Sequence, residues 1–234
     1  MLSIVMPVYN EGENILPTLA SLYAEVKSPK VVHLVYDFEA DSTLPVVKKN
    51  LSRHPGLILT KNKYGRGVLN AIKSGIEAAE GDAVLVTMAD GSDEYAIVDK
   101  MYGLIKQGNA VVCASRYMRG GRQIGGPWLK RTLSRLAGLS AYYLSRIPTH
   151  DLSNSFRMYD KKFLQSVKIE STGGFEISTE LTVKARLMGK KIAELPTVWK
   201  DRAAGRSNFK LWQWLPRYLY WYFKLWQGPF HPDR

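Results

Sequence analysis

The first half of the chain alternates short apolar segments with segments that carry apolar residues at helical spacing. The short segments are apolar on both faces and bounded by polar or glycine-rich turns, as buried parallel strands are. This alternation predicts an α/β fold, an open and mostly parallel sheet with helices on both faces. The predicted strands are residues 2–8, 31–37, 57–60, 83–90 and 110–117, and the predicted helices are residues 13–26, 42–54, 67–80 and 94–107.

Polar residues gather directly after the first, second and fourth predicted strands. Ligands of such sheets bind outside the carboxyl ends of the strands, so three polar loops on one rim predict a binding site there. Pro7 and Tyr9 are candidates for one wall of a base pocket, with Glu11 accepting hydrogen bonds from a ribose or base. The alternative is a strand-to-helix loop in which Asn10 caps the helix. Asp37 is a candidate acceptor for a base N–H, and the alternative is that it complements a helix dipole.

The second half of the chain replaces this alternation with amphipathic helices. Residues 176–188 predict a further helix, and residues 191–199 predict a short strand. A helical pattern over residues 127–147 carries leucines on one side. The opposite side of that helix is predicted to carry Lys130, Arg131, Ser134 and Arg135.

The C-terminal segment is aromatic and basic. Nine of the eighteen residues from 209 to 226 are aromatic, none is acidic, and Lys210, Arg217 and Lys224 recur every seven positions. Such a helix is typical of the headgroup layer of a membrane, with its aromatic side chains at the boundary. The alternative is an ordinary core helix, and Pro216 is expected to kink either one.

Net charge is distributed unevenly along the 234 residues. Residues 1–114 hold 11 Lys+Arg and 13 Asp+Glu, which gives a net charge of −2. Residues 115–234 hold 22 Lys+Arg and 8 Asp+Glu, which gives a net charge of +14. The two halves sum to the formal net charge of +12. The second half therefore favours an anionic partner, which is nucleic acid, an anionic membrane or a phosphorylated substrate. No recognised nucleic-acid-binding motif accompanies the charge.

Length and cysteine content indicate one folded unit. The single cysteine, Cys113, lies in an apolar run, which excludes a disulfide framework and fits a reducing compartment. The sequence shows neither a secretory signal pattern nor an apolar run long enough to span a bilayer. We expect a catalytic unit over residues 1–208, including an amphipathic acceptor-side helix at 129–146, and a membrane-surface tail over residues 209–234.

Seven sequence pieces occur in the order found in a known family. The ordered series resembles the GT-A glycosyltransferases of family 2, and within them the polyprenyl-phosphate sugar synthases, up to about residue 210. The pieces are IVMPVYNEGENI, YDFEADST, NKYGRGVLNAI, VTMADGSDE, ASRYMRGG, DLSNSFRMYDKKFL and GGFEISTELTVKARLMGKKIAELPTVWKDRAAGRSNFK.

This resemblance implies an inverting transfer of one sugar from a GDP- or UDP-sugar to a polyprenyl (dolichyl or undecaprenyl) phosphate. The enzyme is expected to be a peripheral protein on the cytoplasmic side of a membrane. It is further expected to bind either a membrane-protein partner or a second copy of this chain. Arg202 matches the arginine of a loop that closes near the diphosphate. The nucleotide-binding residues implied are Pro7, Tyr9, Glu11, Asp37, Ala89, Asp90 and Arg202.

The loop after the fourth strand is implied to hold Mg²⁺ or Mn²⁺ together with the diphosphate. The family pattern there is Asp-Ala-Asp, whereas this chain has Met88-Ala89-Asp90. A thioether is too soft a ligand for either ion. Because Mg²⁺ commonly takes only one or two carboxylates, with phosphates and water completing its shell, Asp90 helped by Asp93 or Ser92 is expected to suffice.

The acceptor, a phosphate monoester, is already ionised and needs positioning and charge neutralisation more than a base. The residues expected to contact it are Arg116, Arg131, Ser134, Arg135 and Arg157. The alternatives are a solvated helix face for Arg131 and Arg135 and a salt bridge to Asp151 or Asp160 for Arg157. Of these, Arg116 and Arg131 are expected, with Asp90, to be catalytic.

Three other functions compete with this interpretation. A family 2 transferase that acts on a sugar hydroxyl needs a carboxylate base, for which Asp151 is the candidate. A non-catalytic sugar-nucleotide-binding protein is suggested by Met88, and a nucleic-acid-binding protein by the basic charge alone.

Overall fold

The computed structural model of this protein describes residues 1–201 and 211–226. A seven-stranded sheet in the order β3-β2-β1-β4-β7-β5-β8 forms its centre, and two further strands, β6 and β9, form a separate pair. All neighbouring strands are parallel except where β7 lies between β4 and β5. The strands are β1 (Leu2–Pro7), β2 (Lys30–Tyr36), β3 (Leu57–Lys61), β4 (Ala83–Val86), β5 (Val111–Ser115), β6 (Arg122–Ile124), β7 (Arg157–Asp160), β8 (Ile192–Pro196) and β9 (Val198–Lys200).

Helices cover both faces of the sheet, which confirms the predicted α/β fold. Two apolar cores result, one on each face of the sheet. They form because every residue of β4 and β5, and every residue of β1 except its last, is buried. The helices are α1 (Ile15–Glu25), α2 (Thr43–Asn50), α3 (Val68–Ala78), α4 (Val98–Lys106), α5 (Trp128–Ser140), α6 (Lys161–Gln165), α7 (Ile177–Leu187) and α8 (Leu211–Lys224).

Strand β7 is a feature that the sequence pattern does not predict. It runs antiparallel to both neighbours, with Tyr159 opposite Val84 and Val111. Four residues are too few for a clear strand pattern, and the segment is flanked by polar residues. The strand nevertheless forms because both its edges find partners in the middle of the sheet.

The segment predicted as one strand over residues 191–199 divides at Thr197. Its first part, β8, pairs with β5, and its second part, β9, pairs with β6. Thr197 donates its N–H to the Ser115 carbonyl and accepts from the Arg122 N–H, so it bonds to both neighbouring segments. The chain thereby leaves the main sheet beside the rim where the polar loops meet.

Helix α8 has one face in the core and one face exposed. It packs against α7, with Trp221 4% exposed and Leu225 buried. The Tyr222 hydroxyl also donates to Ser140 Oγ at 2.9 Å, which joins α8 to α5. The helix contains Pro216 within its length. Along the chain that the structure describes, α8 included, no helix combines the length and hydropathy that a membrane span requires.

Candidate active site

A cavity of about 610 Å³ lies at the carboxyl ends of β1, β2, β4 and β5. Helices α5 and α8 line its opposite side. Four cavity residues end or follow these strands: Pro7, Asp37, Met88 and Arg116. The polar rim predicted from the sequence therefore forms one concave site, as expected for an open α/β sheet.

The end of the cavity beside β1 and β2 combines aromatic rings with a carboxylate. The rings of Tyr9 and Phe38 meet edge to face, with 5.8 Å between centroids. The Asp37 carboxylate accepts the Asn62 amide at 2.7 Å and the Gly67 N–H at 2.9 Å, which fixes its orientation. Aromatic surface beside a fixed acceptor suits a flat base that carries N–H groups.

Three further residues complete this end of the cavity. Pro7 and Glu11 line it as predicted, and Arg66 also lines it, although the sequence analysis did not select it. The Arg66 guanidinium lies 4.8 Å from the centroid of the Phe38 ring, a cation–π contact.

The loop after β4 presents one carboxylate to the cavity. Asp90 Oδ1 accepts the Ser92 hydroxyl at 2.6 Å and the Ser92 N–H at 3.2 Å. The Thr18 hydroxyl donates to the Ala89 carbonyl at 3.1 Å and secures the loop against α1. Met88, Ala89, Asp90 and Ser92 all line the cavity.

Asp93 lies outside the cavity lining and supports the loop. Its Oδ2 accepts the Thr87 hydroxyl at 2.8 Å and the Met88 N–H at 3.2 Å. Burial, followed by the neighbouring Asp90 carboxylate, raises the pKa of Asp93 to about 7. This placement does not support the predicted metal contact from Asp93.

The oxygen atoms of Asp90 and Ser92 fit a hard divalent cation only as a partial set of ligands. No group of three or more His, Cys, Asp or Glu residues suited to a metal occurs within residues 1–201 and 211–226. Mg²⁺ and Mn²⁺ favour oxygen, and Mg²⁺ usually completes its shell with phosphate and water. The site therefore suits an ion that arrives with a diphosphate.

Arg116 and Asp151 form a buried ion pair beside the cavity. Arg116 Nε and Nη2 donate to the two Asp151 oxygens at 2.7 and 3.0 Å, and Nη2 also donates to Ser153 Oγ at 2.8 Å. The Asp151 carboxylate is completely buried and accepts the Arg116, Ser153 and Asn154 N–H groups as well. Burial acts to raise the pKa of Asp151, but the Arg116 charge, the hydrogen bonds from Arg116 and the Arg157 charge together outweigh it, and the pKa is lowered.

Arg157 has a structural position, which corrects the predicted phosphate contact. Its side chain is completely buried and does not line the cavity. The guanidinium donates to the carbonyls of Ser178 and Asp151 and to the Thr182 hydroxyl. These bonds tie β7 to α7, and they leave the side chain no surface at which an acceptor could bind.

Helix α5 faces the cavity with a different side from the one predicted. Lys130 and Ser134 line the cavity, whereas Arg131 and Arg135 are exposed and do not. Gly138 sets this rotation, because a Cβ there would lie 2.1 Å from the His150 carbonyl oxygen. The placement does not support the predicted phosphate contacts of Arg131 and Arg135, and it adds Lys130 to the site.

The cavity wall between α5 and α8 is largely apolar. Helix α5 contributes Leu133 and Ala137, and the ring of Phe175 packs edge to face against Trp214 at 5.9 Å. The residues of α8 that line the cavity are Trp214, Leu215 and Tyr218. An apolar wall thus lies next to the cations Arg116 and Lys130.

Residues 3–168 match the family described as Glycosyl transferase family 2, which is more than half of the chain. The chain belongs to glycosyl transferase family 2. Its mostly parallel sheet enclosed by helices is GT-A-like.

Two curated family 2 relatives cover most of the chain. A dolichol-phosphate mannosyltransferase from Pyrococcus furiosus is 26% identical over 233 residues, 97% of this chain and 64% of its own length. The chain thus spans less than two thirds of that relative. A polyprenol monophosphomannose synthase from Mycolicibacterium smegmatis is 25% identical over 211 residues, 88% of this chain and 79% of its own length.

A solved structure shares the fold. Glucosyl-3-phosphoglycerate synthase from Mycobacterium tuberculosis, crystallised with Mn²⁺, UDP and glucosyl-3-phosphoglycerate, matches with a TM-score of 0.72 at 16% identity. The match covers 98% of this chain and 81% of that chain.

Several cavity residues of this family 2 member were not predicted from the sequence, among them Arg66, Lys130, Trp199 and the α8 residues Trp214, Leu215 and Tyr218. For Lys130 a signal existed, since Gly138 marks the side of α5 that approaches another backbone closely. The remaining groups carry no local pattern that indicates a site. Arg202 lies outside the described residues, so its predicted contact with the diphosphate stays a prediction.

Proposed function

We propose that this enzyme transfers one sugar, with inversion, from a GDP- or UDP-sugar to a polyprenyl phosphate at a membrane surface. The names of the two curated relatives support this acceptor class. The UDP and Mn²⁺ named with the structural neighbour support a nucleotide-sugar donor and a divalent ion.

The acceptor half of the cavity carries this proposal. There, Arg116, Lys130 and Ser134 stand beside the apolar wall formed by α5 and α8. Positive charge and hydroxyl next to hydrocarbon suit a lipid phosphate, whose headgroup is anionic and whose chain is apolar.

The competing chemistry, attack by a sugar hydroxyl, needs a carboxylate base on the acceptor side. Asp151 does not fit that role, because it is fully buried, fully hydrogen-bonded and held with a lowered pKa by Arg116. The carboxylates of the described cavity lining are Glu11, Asp37 and Asp90, which follow β1, β2 and β4 at the opposite end. A phosphate acceptor fits this distribution since it needs no base.

In the proposed reaction, a phosphate oxygen of the lipid forms a bond to the anomeric carbon of the sugar. The bond between that carbon and the β-phosphate oxygen breaks, and its electron pair leaves with the nucleoside diphosphate. Arg116 and Lys130 offset the repulsion between the two anionic substrates. Asp90 and Ser92 would hold a divalent ion, which would supply positive charge to neutralise the leaving diphosphate.

A transfer assay with a matrix of substrates tests the proposal. Radiolabelled GDP-mannose and UDP-glucose are each offered with a polyprenyl phosphate or with 3-phosphoglycerate, in the presence of Mn²⁺ or Mg²⁺. Label that enters the organic phase with the polyprenyl phosphate supports the proposal. Label on 3-phosphoglycerate alone, or on neither acceptor, would overturn it.

Replacing Lys130 with alanine is expected to raise the KM for polyprenyl phosphate about tenfold to a hundredfold. A hydrogen bond to a charged group contributes about 1.5–3 kcal/mol, and 1.4 kcal/mol corresponds to a factor of ten. The KM for the nucleotide sugar is expected to change little. Steady-state kinetics with each substrate varied in turn measures both values.

Arg131→Ala is the matched control for this prediction, because Arg131 lies on the same helix with its side chain exposed and outside the cavity lining. It is expected to have the smaller effect on the acceptor KM. A larger effect from Arg131→Ala would show that the cavity face of α5 is assigned wrongly.

The exposed face of α8 supports contact with a membrane. Leu219, Tyr220 and Phe223 on this helix, and Trp226 in the turn that follows it, are each at least 40% exposed. The described part of α8 carries Arg217 and Lys224 and no acidic residue. Exposed aromatic side chains with interspersed cations are typical of helices that lie in the headgroup layer.

Changing Phe223 and Trp226 together to serine is expected to reduce binding to anionic liposomes at least tenfold. Each ring loses about 1.5–3 kcal/mol of favourable burial when it can no longer enter the lipid. Thermal stability is expected to stay unchanged, since both side chains are half exposed, at 59% and 50%. Cosedimentation with vesicles and thermal melting measure the two properties.

Trp221→Ser is the contrasting variant on the same helix. Trp221 is 4% exposed and packs inside the protein, so its loss is expected to lower stability by about 3–5 kcal/mol. Unchanged liposome binding by the Phe223 and Trp226 double variant would show that α8 is not the membrane contact.

A further inference from the structure

Trp199 is held between two hydrogen bonds that tie β9 to the loop carrying Asp90. The Val198 N–H donates to the Glu94 carboxylate at 2.7 Å, and the Lys200 N–H donates to the Ser92 carbonyl at 3.2 Å. These bonds fix the backbone on both sides of Trp199. The indole ring itself lines the cavity.

On its other side the ring approaches the cationic part of the cavity. The Arg116 guanidinium lies 6.0 Å from the centroid of the Trp199 ring. Gly126, with φ +79°, lies beside the indole, since a Cβ at this position would be in ordinary van der Waals contact with Trp199 Cζ3 at 3.6 Å. Trp199 therefore stands between the Asp90 loop and Arg116.

This position coincides with the place of the transferred sugar in the proposed reaction. The leaving diphosphate lies at Asp90 and Ser92, and the attacking phosphate lies at Arg116 and Lys130. The anomeric carbon must lie between the leaving and attacking oxygens, because inversion requires displacement from the opposite side. The pyranose ring consequently occupies the interval that Trp199 borders.

We infer that Trp199 forms a wall of the subsite for the transferred hexopyranose and binds its apolar C–H groups against the indole. The inference rests on the proposed function. An aromatic wall binds an apolar sugar surface through dispersion and weak C–H contacts, while leaving the hydroxyls to polar neighbours. Ser153, Asn154 and Ser155 line the same cavity and supply such polar groups.

Glu94 acts through Trp199 as a positioning residue. It does not line the cavity, but its carboxylate holds the Val198 N–H and lies 3.4 Å from the Thr197 hydroxyl. This carboxylate thereby links the diphosphate loop to the strand that carries the indole.

The decisive measurement compares two ligands that differ only in the sugar. Affinities for the nucleotide sugar and for the matching free nucleoside diphosphate are measured by calorimetry, in the presence of Mn²⁺, for the full chain. Trp199→Ala is expected to weaken nucleotide-sugar binding about three- to tenfold and to leave nucleoside diphosphate binding within about twofold. Trp199→Phe is expected to retain most of the affinity, because it keeps an aromatic wall.

Trp214→Ala is the matched control, since it makes the same substitution on the acceptor wall. It is expected to leave both donor affinities unchanged. Equal losses for the two donor ligands in Trp199→Ala, or no loss for either, would overturn the inference. An effect confined to the KM of the acceptor would likewise overturn it and indicate that the indole serves only to pack Arg116.

The Glu94 variants test the positioning role. Glu94→Ala is expected to reproduce the sugar-dependent loss of Trp199→Ala, whereas Glu94→Gln, which keeps an acceptor oxygen for Val198, restores binding. The positioning role would be contradicted if Glu94→Ala and Glu94→Gln both lost affinity and the loss were the same for the nucleotide sugar and the nucleoside diphosphate. The binding measurement is independent of the acceptor, so an enzyme that binds nucleotide sugar but ignores polyprenyl phosphate would refute the proposed function alone.

Discussion

Replacing Asp90 with asparagine is expected to lower kcat at least a hundredfold while the protein remains folded. Within the described cavity lining, Asp90 is the carboxylate of the loop after β4, and its partner Ser92 is neutral. Loss of one preorganised electrostatic group at a reacting centre typically costs about 10²–10³ in rate. Single-turnover kinetics at saturating Mn²⁺, together with a thermal melt, measures the effect.

The neighbouring positions provide controls for this result. Asp93→Asn is expected to lower kcat much less than Asp90→Asn does, because Asp93 supports the loop from outside the cavity. Met88→Asp is expected to lower the Mn²⁺ concentration needed for half-maximal activity, since Met88 lines the cavity beside Asp90. An Asp90→Asn enzyme with turnover close to wild type would rule out the assigned role of this loop.

Replacing Asp151 with alanine is expected to destabilise the protein by about 3–5 kcal/mol, because it leaves the Arg116 guanidinium buried without its counter-charge. For a chain of this length the fall in Tm is on the order of 10 °C. The expected loss is large because both members of the pair are at least 90% buried. Thermal and denaturant unfolding at neutral pH measure it.

Asp160→Ala is the matched control for stability. Asp160 accepts the Phe163 N–H at the start of α6 and pairs with no buried cation among residues 1–201 and 211–226, so its loss is expected to cost only about 1 kcal/mol. A double variant, Arg116→Met with Asp151→Leu, is expected to be more stable than Asp151→Ala alone, since it buries no unpaired charge. Equal stability of the two Asp→Ala variants would contradict the importance of the pair.

The difference in stability between the wild-type protein and Asp151→Ala is expected to depend on pH in a definite direction. The pKa of Asp151 is lowered in the folded state from its ordinary value of 3.8. Its contribution is therefore fully present above pH 3.8 and is lost as the pH falls through the folded value. The gap in stability between wild type and Asp151→Ala should shrink only in strong acid.

The sequence by itself determined the alternating strands and helices of the first half and the rim on which the site lies. Both follow from local periodicity, because a strand that is apolar on both faces needs helices on both sides. The parallel direction of these strands then brings their carboxyl ends together. Pro7, Tyr9, Glu11, Asp37 and Asp90 line one cavity for this reason.

Only the tertiary structure decided which cations reach the cavity. Helical periodicity gives the angles between residues of α5 but not the direction in which the helix is rotated. Contact of Gly138 with the backbone at His150 sets that rotation, and it turns Lys130 inward and leaves Arg131 exposed.

The same limit applies to buried charges and to residues that meet from distant parts of the chain. Arg157 looked like a phosphate ligand, yet its partners Ser178 and Thr182 lie 21 and 25 residues away and enclose it in the core. Trp199 enters the site because Glu94, 104 residues before Val198, holds its strand. Local sequence determines which faces are apolar, whereas burial and contact depend on long-range packing that no local pattern encodes.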